Sequence, residues 1–301
     1  MPELPEVETV ANGVNDRVRG QIIQSVWFGS KPEPFRTPAA GMAEHLPGHR
    51  IDRVRRVGKH IVFDLIRAPS AAPGKRPRSH RSKPEKPEST PIQWLVHLGM
   101  TGRLLVCSSE TPIPPHTHAV LHLSSGAELR FVDARRFGRL TLLLPATLPN
   151  DAEPGSAGGF QGPGTEPLTV SPEDFIALFK NRRLSIKSAL LNQRLLHGVG
   201  NIYADESLFR AGIRPRRMAA RLTRAELLSL RQSLIEVLKN AIARGGSSVS
   251  DYVDADGVRG FFQLEHRVYQ RTAQPCLVCG TSIRRLVLGG RSTHYCPRCQ
   301  R

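Results

Sequence analysis

The end of the chain leaves the least freedom: Cys276, Cys279, Cys296 and Cys299 form two C-x2-C pairs separated by sixteen residues. Two such knuckles can place four thiolates around a tetrahedral zinc ion, with the intervening segment folded as a hairpin. On spacing alone, reduced thiols or a redox pair are the alternatives. Four thiolates leave no open coordination position, so the expected cofactor is one structural Zn2+ and not a catalytic one. The same ribbon carries Arg284, Arg285, Arg291 and Arg298, cationic side chains on a rigid turn of the kind suited to nucleic acid. A transcription factor would show this feature equally well. The fifth cysteine, Cys107, falls in an apolar strand and reads as a packed thiol.

Charge points the same way. Lys and Arg number 43 against 26 Asp and Glu, a formal charge of +17 over 301 residues, which favours a polyanionic partner. A basic solubility surface is the plainer reading. No apolar run approaches the roughly 20 residues of a spanning helix, so no membrane partner is expected. Met1 to Val10 lacks a cationic stretch followed by an apolar one, and the clustered cysteines do not suit a secreted disulfide scaffold; a cytoplasmic protein is expected.

Along the chain, Val7, Val10, Val14 and Val18 repeat at helical spacing and Gly20 supplies a stop. Short β-branched runs then follow at 22–28, 51–57, 60–65, 94–98, 103–107, 119–123, 129–133 and 139–144, separated by turn residues. That pattern predicts an antiparallel sandwich or barrel and not alternating βαβ units. Two stretches interrupt it. Residues 68–91, rich in Lys, Arg and Pro with no apolar period, are expected to form a flexible loop, and 149–167 reads as a linker. Beyond the linker the period is helical: Ser171, Pro172 and Asp174 mark one start, and Thr223 with Glu226 forms a capping box ahead of a long apolar stripe ended by Gly245 and Gly246.

Two further constellations carry chemistry. Gly198, Val199, Gly200 and Asn201 lie between helical stretches at 186–195 and 202–210; the turn opens a helix whose free N–H groups favour a phosphate, with Arg182, Arg183 and Lys187 nearby in sequence. A plain turn is the alternative. The second is the N-terminus, Met1-Pro2-Glu3-Leu4-Pro5-Glu6. Removal of Met1 would leave Pro2 with a free secondary amine, and an α-amino group with pKa about 7.7–8.0 is substantially neutral near physiological pH. Such an amine can attack a sugar carbon and form an iminium, with Glu3 and Glu6 available as acid and base. A helix start with acidic residues favourable to its dipole explains the same residues without chemistry.

The N-terminal PELPEVETV stands in order with RRVGKH at 55–60, HLGMTGRL at 97–104, DARRFG at 133–138, GVGNIYADESLFRAGI at 198–213 and the cysteine ribbon. Together they resemble the formamidopyrimidine-DNA glycosylases over nearly the whole chain, and the PELPE opening differs from that of the related endonuclease VIII. The resemblance implies an α+β multidomain protein: an N-terminal catalytic antiparallel β-sandwich with flanking helices (2–148), a linker (149–168), a helix-two-turn-helix domain with the lesion-recognition loop (169–262) and a C-terminal zinc ribbon (263–301). It implies a monomer that acts on double-stranded damaged DNA in the bacterial cytoplasm, on the nucleoid, excising oxidised purines and cleaving the abasic site.

By the same resemblance Pro2 matches the Schiff-base nucleophile and Glu3 the acid that helps open the deoxyribose. Lys59 matches the lysine of β-elimination and a phosphate contact, and Arg291 the arginine of DNA binding and δ-elimination. Met100, Arg135 and Phe137 match the trio that fills the gap left by an extruded base, a task that an unbranched thioether, a guanidinium and an aromatic ring suit. His116 and Arg183 match DNA contacts, and Lys187 and Asn201 match phosphate contacts of the helix-two-turn-helix. The chain departs from the family at Ala134, where proline is common, at Arg183, where relatives carry lysine, and in the basic stretch at 68–91. The alternatives are an endonuclease VIII-like enzyme for oxidised pyrimidines and a noncatalytic zinc-ribbon DNA-binding protein.

Overall fold

The computed structural model describes residues 1–69, 91–145, 159–248, 255–258 and 260–301. Most of the basic stretch at 68–91, the first part of the linker and most of 249–260 lie outside the described residues. Helix α1 spans Leu4–Val18, and the four valines that predicted it are all buried. Every predicted strand forms: β1 (Ile23–Phe28), β2 (His49–Val57), β3 (His60–Arg67), β4 (Ile92–His97), β5 (Arg103–Ser108), β6 (Thr117–Leu123), β7 (Ala127–Val132) and β8 (Arg139–Leu143). A short helix, α2 (Ala39–His45), has no counterpart in the sequence reading; it lacks a side-chain cap and buries only Met42, so neither signal that marks a helix is present.

The strands make two four-stranded sheets, ordered β1-β6-β7-β5 and β2-β3-β4-β8. In the first, β6 pairs antiparallel with both β1 and β7, and β7 with β5. In the second, β4 pairs antiparallel with β8, and the aromatic rings of Phe63 and Trp94 on neighbouring strands sit 5.0 Å apart. Strand β7 is buried on both faces: Leu129 and Phe131 are fully inside, and so is Arg130 between them, whose guanidinium is bonded to Glu128.

The chain packs as two compact units. One comprises Ala11–Arg55 and Ile61–Phe160; the other comprises Met1–Val10, Arg56–His60 and Gln161–Arg301. The second unit is mainly helical: α3 (Pro172–Phe179), α4 (Ile186–Leu190), α5 (Asn201–Arg210) and α6 (Arg224–Ala243). Ser171 caps α3 through the Asp174 amide, with Pro172 in the first turn, and Thr223 and Glu226 cap α6 reciprocally, as the sequence predicts. Helix α4 is shorter than the expected 186–195, because Asn192 starts a turn: its carboxamide oxygen accepts from Arg194 N at 3.0 Å and its carbonyl from Leu195 N at 2.8 Å. A buried cluster including Leu4, Phe175, Phe179, Leu190, Tyr203, Leu230 and Leu234 unites these helices with the start of the chain. Among the described residues no helix is long and apolar enough to cross a membrane.

The last element is a hairpin of β9 (Arg284–Leu288) and β10 (Arg291–Tyr295) between the two cysteine pairs. The four Sγ atoms lie within 4.8 Å of one another, with Cys276–Cys299 at 3.9 Å and Cys279–Cys296 at 3.5 Å. A tetrahedron with Zn–S bonds of about 2.3 Å needs S–S edges of about 3.8 Å, so these thiols fit one zinc ion. The apolar core here is small, Val268, Ile283 and the cysteines with Phe209 packed against them, so the metal must supply much of the local folding energy. Cys296→Ser should therefore release zinc and expose the β9 and β10 amides to hydrogen exchange, while α6 stays protected. Retained protection of the hairpin in metal-free protein would contradict this.

Candidate active site

An open cavity of about 710 Å³ in the helical unit is lined by Met1, Glu3, Lys59, Asn201, Tyr269 and Arg291, among others. Its floor is built where the chain start meets the Gly198–Asn201 turn. Gly198 has φ +91°, and its carbonyl accepts Leu4 N at 3.0 Å. Gln193 fixes the turn from behind, accepting from Gly198 N at 2.9 Å and donating to Val199 O at 2.8 Å. Gly200 then has no side chain where Glu3 enters: a Cβ there would lie 2.2 Å from the Glu3 carboxyl carbon.

The consequence corrects the sequence expectation for this turn. The amides at the start of α5, predicted to face a phosphate, are taken by the Glu3 carboxylate, with Ile202 N at 3.2 Å and Tyr203 N at 3.5 Å. Glu3 is buried, and burial raises its pKa to about 7; Lys59 and the two amides pull it down, and the neighbouring Glu6 pushes it up. Lys59 responds in the opposite sense. Burial lowers its pKa and Arg291 adds to that, against the attraction of Glu3 and Glu6.

Glu6 is nearly inaccessible and committed to holding the backbone. It accepts from Glu3 N at 2.7 Å, from Ser247 N at 2.7 Å and from the Tyr203 hydroxyl, and burial raises its pKa. Its placement suits it to orient Glu3 and not to exchange protons with a ligand. Pro2 is buried, and Met1, bonded to its nitrogen, lines the cavity.

Arg291 is exposed at the start of β10 and lines the same cavity. The next residue, Ser292, accepts through its carbonyl from Lys187 Nζ at 2.8 Å and from Asn201 Nδ2 at 3.0 Å. Lys187, expected at a phosphate, is wholly buried and pairs with Asp205 at 2.6 Å; the structure places it as a strut beneath the hairpin, not on the surface. Asn201 keeps an edge on the cavity. Asp205 also accepts from His294 N at 2.9 Å, and adjacent Glu206 accepts from the amides of Arg267, Val268 and Tyr269 at 2.8–3.0 Å. Arg183 is exposed just before α4.

Met100, Arg135, Phe137 and His116 belong to the sheet unit and gather around Asp133. This buried carboxylate accepts from Thr101 Oγ1 at 2.6 Å, Arg135 N at 3.3 Å and Gly138 N at 2.7 Å, while Asp133 N donates to His116 O at 3.0 Å. Gly99 packs so tightly on the Phe137–Gly138 peptide that a Cβ would come within 2.4 Å of it. Met100 and Phe137 are left exposed, and the Arg135 guanidinium lies 4.9 Å from the centre of the Phe137 ring. Sequence reasoning missed Asp133, Gln193, Tyr269 and the Asp205–Glu206 pair. Two adjacent acids between the apolar residues at 202–204 and 208–209 were the available signal for the last, since buried charges need partners.

Comparison with known proteins matches three family models in order. Residues 1–140 match the formamidopyrimidine-DNA glycosylase N-terminal domain, 163–253 the formamidopyrimidine-DNA glycosylase H2TH domain, and 273–301 the zinc finger found in FPG and IleRS. A formamidopyrimidine-DNA glycosylase of Solibacter usitatus is 41% identical over 301 residues, covering all of both chains. The crystal structure of the MutM (Fpg) protein of Thermus thermophilus superposes with TM-score 0.77 at 37% identity, covering 99% of this chain and 98% of that one. A Lactococcus lactis Fpg in complex with DNA containing an abasic site gives TM-score 0.80 at 28% identity, covering 99% of each.

Gly200→Ala tests the floor of the cavity. The added methyl should drive Glu3 off α5, cost about 1–3 kcal/mol in urea unfolding and let the Glu3 carboxyl fall toward its unperturbed pKa of about 4.3 in an NMR titration. An unchanged titration would mean that Glu3 does not depend on this approach.

Proposed function

Because this chain belongs to the formamidopyrimidine-DNA glycosylase family, we propose that its cavity performs the family's base excision and abasic-strand cleavage with Pro2 as nucleophile and Glu3 as acid. It is a base-excision repair enzyme, a bifunctional DNA glycosylase and abasic-site lyase with one structural zinc ion. The observation that carries the assignment of the acid is the burial of Glu3, with a pKa of about 7, in a cavity also lined by Met1, Lys59 and Arg291.

With Met1 removed, the secondary amine of Pro2 replaces a non-nucleophilic amide beside Glu3. Its lone pair attacks C1′ of the damaged nucleoside, and the glycosidic electrons leave with the base, which takes up a proton. Protonation of the ring oxygen by Glu3 breaks C1′–O4′ and gives an open-chain iminium. Lys59, its amine shifted toward the neutral form by burial, suits removal of the C2′ proton; electrons flow to the iminium as the 3′-phosphate leaves. A second elimination expels the 5′-phosphate, with Arg291 stabilising the departing anion.

The substrate of this reading is double-stranded DNA carrying oxidised purines, 8-oxoguanine and formamidopyrimidines. Met100, Arg135 and Phe137 are assigned to the gap left by the flipped base, with Arg135 facing the orphaned cytosine, and His116, Arg183 and Asn201 to the DNA backbone. Lys187 is assigned an indirect part, through the hairpin that carries Arg291. The enzyme is taken to act as a monomer in the bacterial cytoplasm, on the nucleoid, with the functional divisions 2–148, 149–168, 169–262 and 263–301.

The pH dependence has a definite sign. Glu3 donates only when protonated, and its raised pKa of about 7 keeps it protonated well above the usual carboxylate range. Single-turnover excision of 8-oxoguanine should therefore fall as pH rises through about 7, and Glu3→Gln should lose about 100-fold or more in excision. Nicking of a preformed abasic site, where the aldehyde is already open, should survive in the same variant. Excision by Glu3→Gln at the wild-type rate would remove Glu3 as the acid.

A further inference from the structure

We infer that Arg56, Glu166 and His197 form a partly buried clamp that positions Lys59 relative to the N-terminal nucleophile, an inference that rests on the role of Lys59 proposed above. Lys59 follows Gly58 in the turn between β2 and β3, and Gly58 takes φ +59°. The His197 ring covers this turn. A Cβ on Gly58 would meet its Cγ at 3.1 Å, and one on Gly162 would meet its Nδ1 at 2.5 Å, so the imidazole is wedged between two glycines. A side chain at Gly162 would collide with the ring outright, and one at Gly58 would press on it.

The guanidinium of Arg56, 4% exposed, spends its donors on three elements. It forms a two-pronged pair with Glu166, at 2.9 and 2.8 Å, donates to Glu8 at 2.5 Å and donates to the Gly58 carbonyl at 3.3 Å. His197 Nε2 lies 3.2 Å from the same Glu166 carboxylate. Burial alone would raise the Glu166 pKa, but His197 and Arg56 hold it down to about 2, so the carboxylate stays charged throughout the working pH range.

The geometry gives the clamp a direction. Glu8 lies on α1, the helix whose first turn follows Glu3, and Glu3 O accepts Val7 N at 3.1 Å. Arg56 therefore ties the turn carrying Lys59 to the helix that follows directly on Pro2 and Glu3. Neither the three clamp residues nor Glu8 lines the cavity, so each acts through Lys59 as a positioning residue. A misplacement of 1 Å in a reacting group can cost about 100-fold in rate, which sets the scale of the effect.

The test is single-turnover nicking of a preformed abasic duplex by the full zinc-loaded chain, with Glu166→Gln introduced into the wild type and into Lys59→Ala. Glu166→Gln should slow the saturating rate about tenfold or more while the half-saturating concentration moves less than twofold, roughly a tenth of the full misplacement penalty. In the Lys59→Ala background the same change should alter the rate less than about twofold, because positioning an absent amine has no value. Arg56→Lys keeps the charge but loses the fork, and should repeat the pattern if Glu166→Gln folds poorly. Equal losses in both backgrounds, or no loss in either, would overturn the clamp while leaving the role of Lys59 intact. A wild-type rate for Lys59→Ala alone would overturn that role and the clamp with it.

Discussion

The Glu3 carboxylate reaches the first turn of α5 because Gly200 presents no side chain there, and much of the active site depends on that approach. A carboxylate so placed satisfies amides that a helix start otherwise leaves to solvent, yet remains buried enough to hold a proton near neutral pH. The same contact fixes the chain start, since Leu4 N bonds to Gly198 O one residue along. Glu6 completes the arrangement by tying the Glu3 amide to Ser247, at the foot of the 249–260 segment. Pro2, Glu3 and Ser247 are thus held by one run of six residues.

A second group of buried charges places Arg291. Lys187 and Asp205 pair wholly out of solvent, and both also bind the hairpin, through Ser292 O and His294 N. A buried pair of this kind adds little net stability over an apolar one, but breaking it leaves an uncompensated charge, which makes the register of β10 on α5 well defined. Zinc and Glu206 fix the remainder of the ribbon: the metal joins its two knuckles, and Glu206 fastens the segment entering it. Arg291 is thereby held on a frame of zinc, ion pair and backbone bonds even though its own side chain is exposed.

Much of this was legible in the sequence where the signal is local. The eight strands, the valine stripe of α1, the caps on α3 and α6 and the four-cysteine spacing each depend on residues close together in the chain. What was not legible depends on contacts across long separations. Lys187 looks like any basic residue near a turn, and only the arrival of Asp205 and Ser292 makes it internal. The Gly198–Asn201 turn has the form of a phosphate site, yet the amides just after it, Ile202 N and Tyr203 N, are claimed by a glutamate about two hundred positions earlier. Asp133 reads as the end of a strand, and its role as the knot joining the Met100 and Phe137 turns appears only once β4 and β8 pair. Helix α2 was missed because it has neither a cap nor an apolar stripe.

In the proposed reaction the attacking atom is the Pro2 nitrogen, freed by loss of Met1 into the cavity that Glu3 and Lys59 line. Borohydride reduction during reaction with abasic duplex DNA, followed by mass spectrometry of the linked peptide, addresses it directly. The sugar adduct should lie on a peptide that begins at Pro2, and chain that retains Met1 should give none. An adduct on Lys59, or one formed with Met1 still in place, would contradict the account.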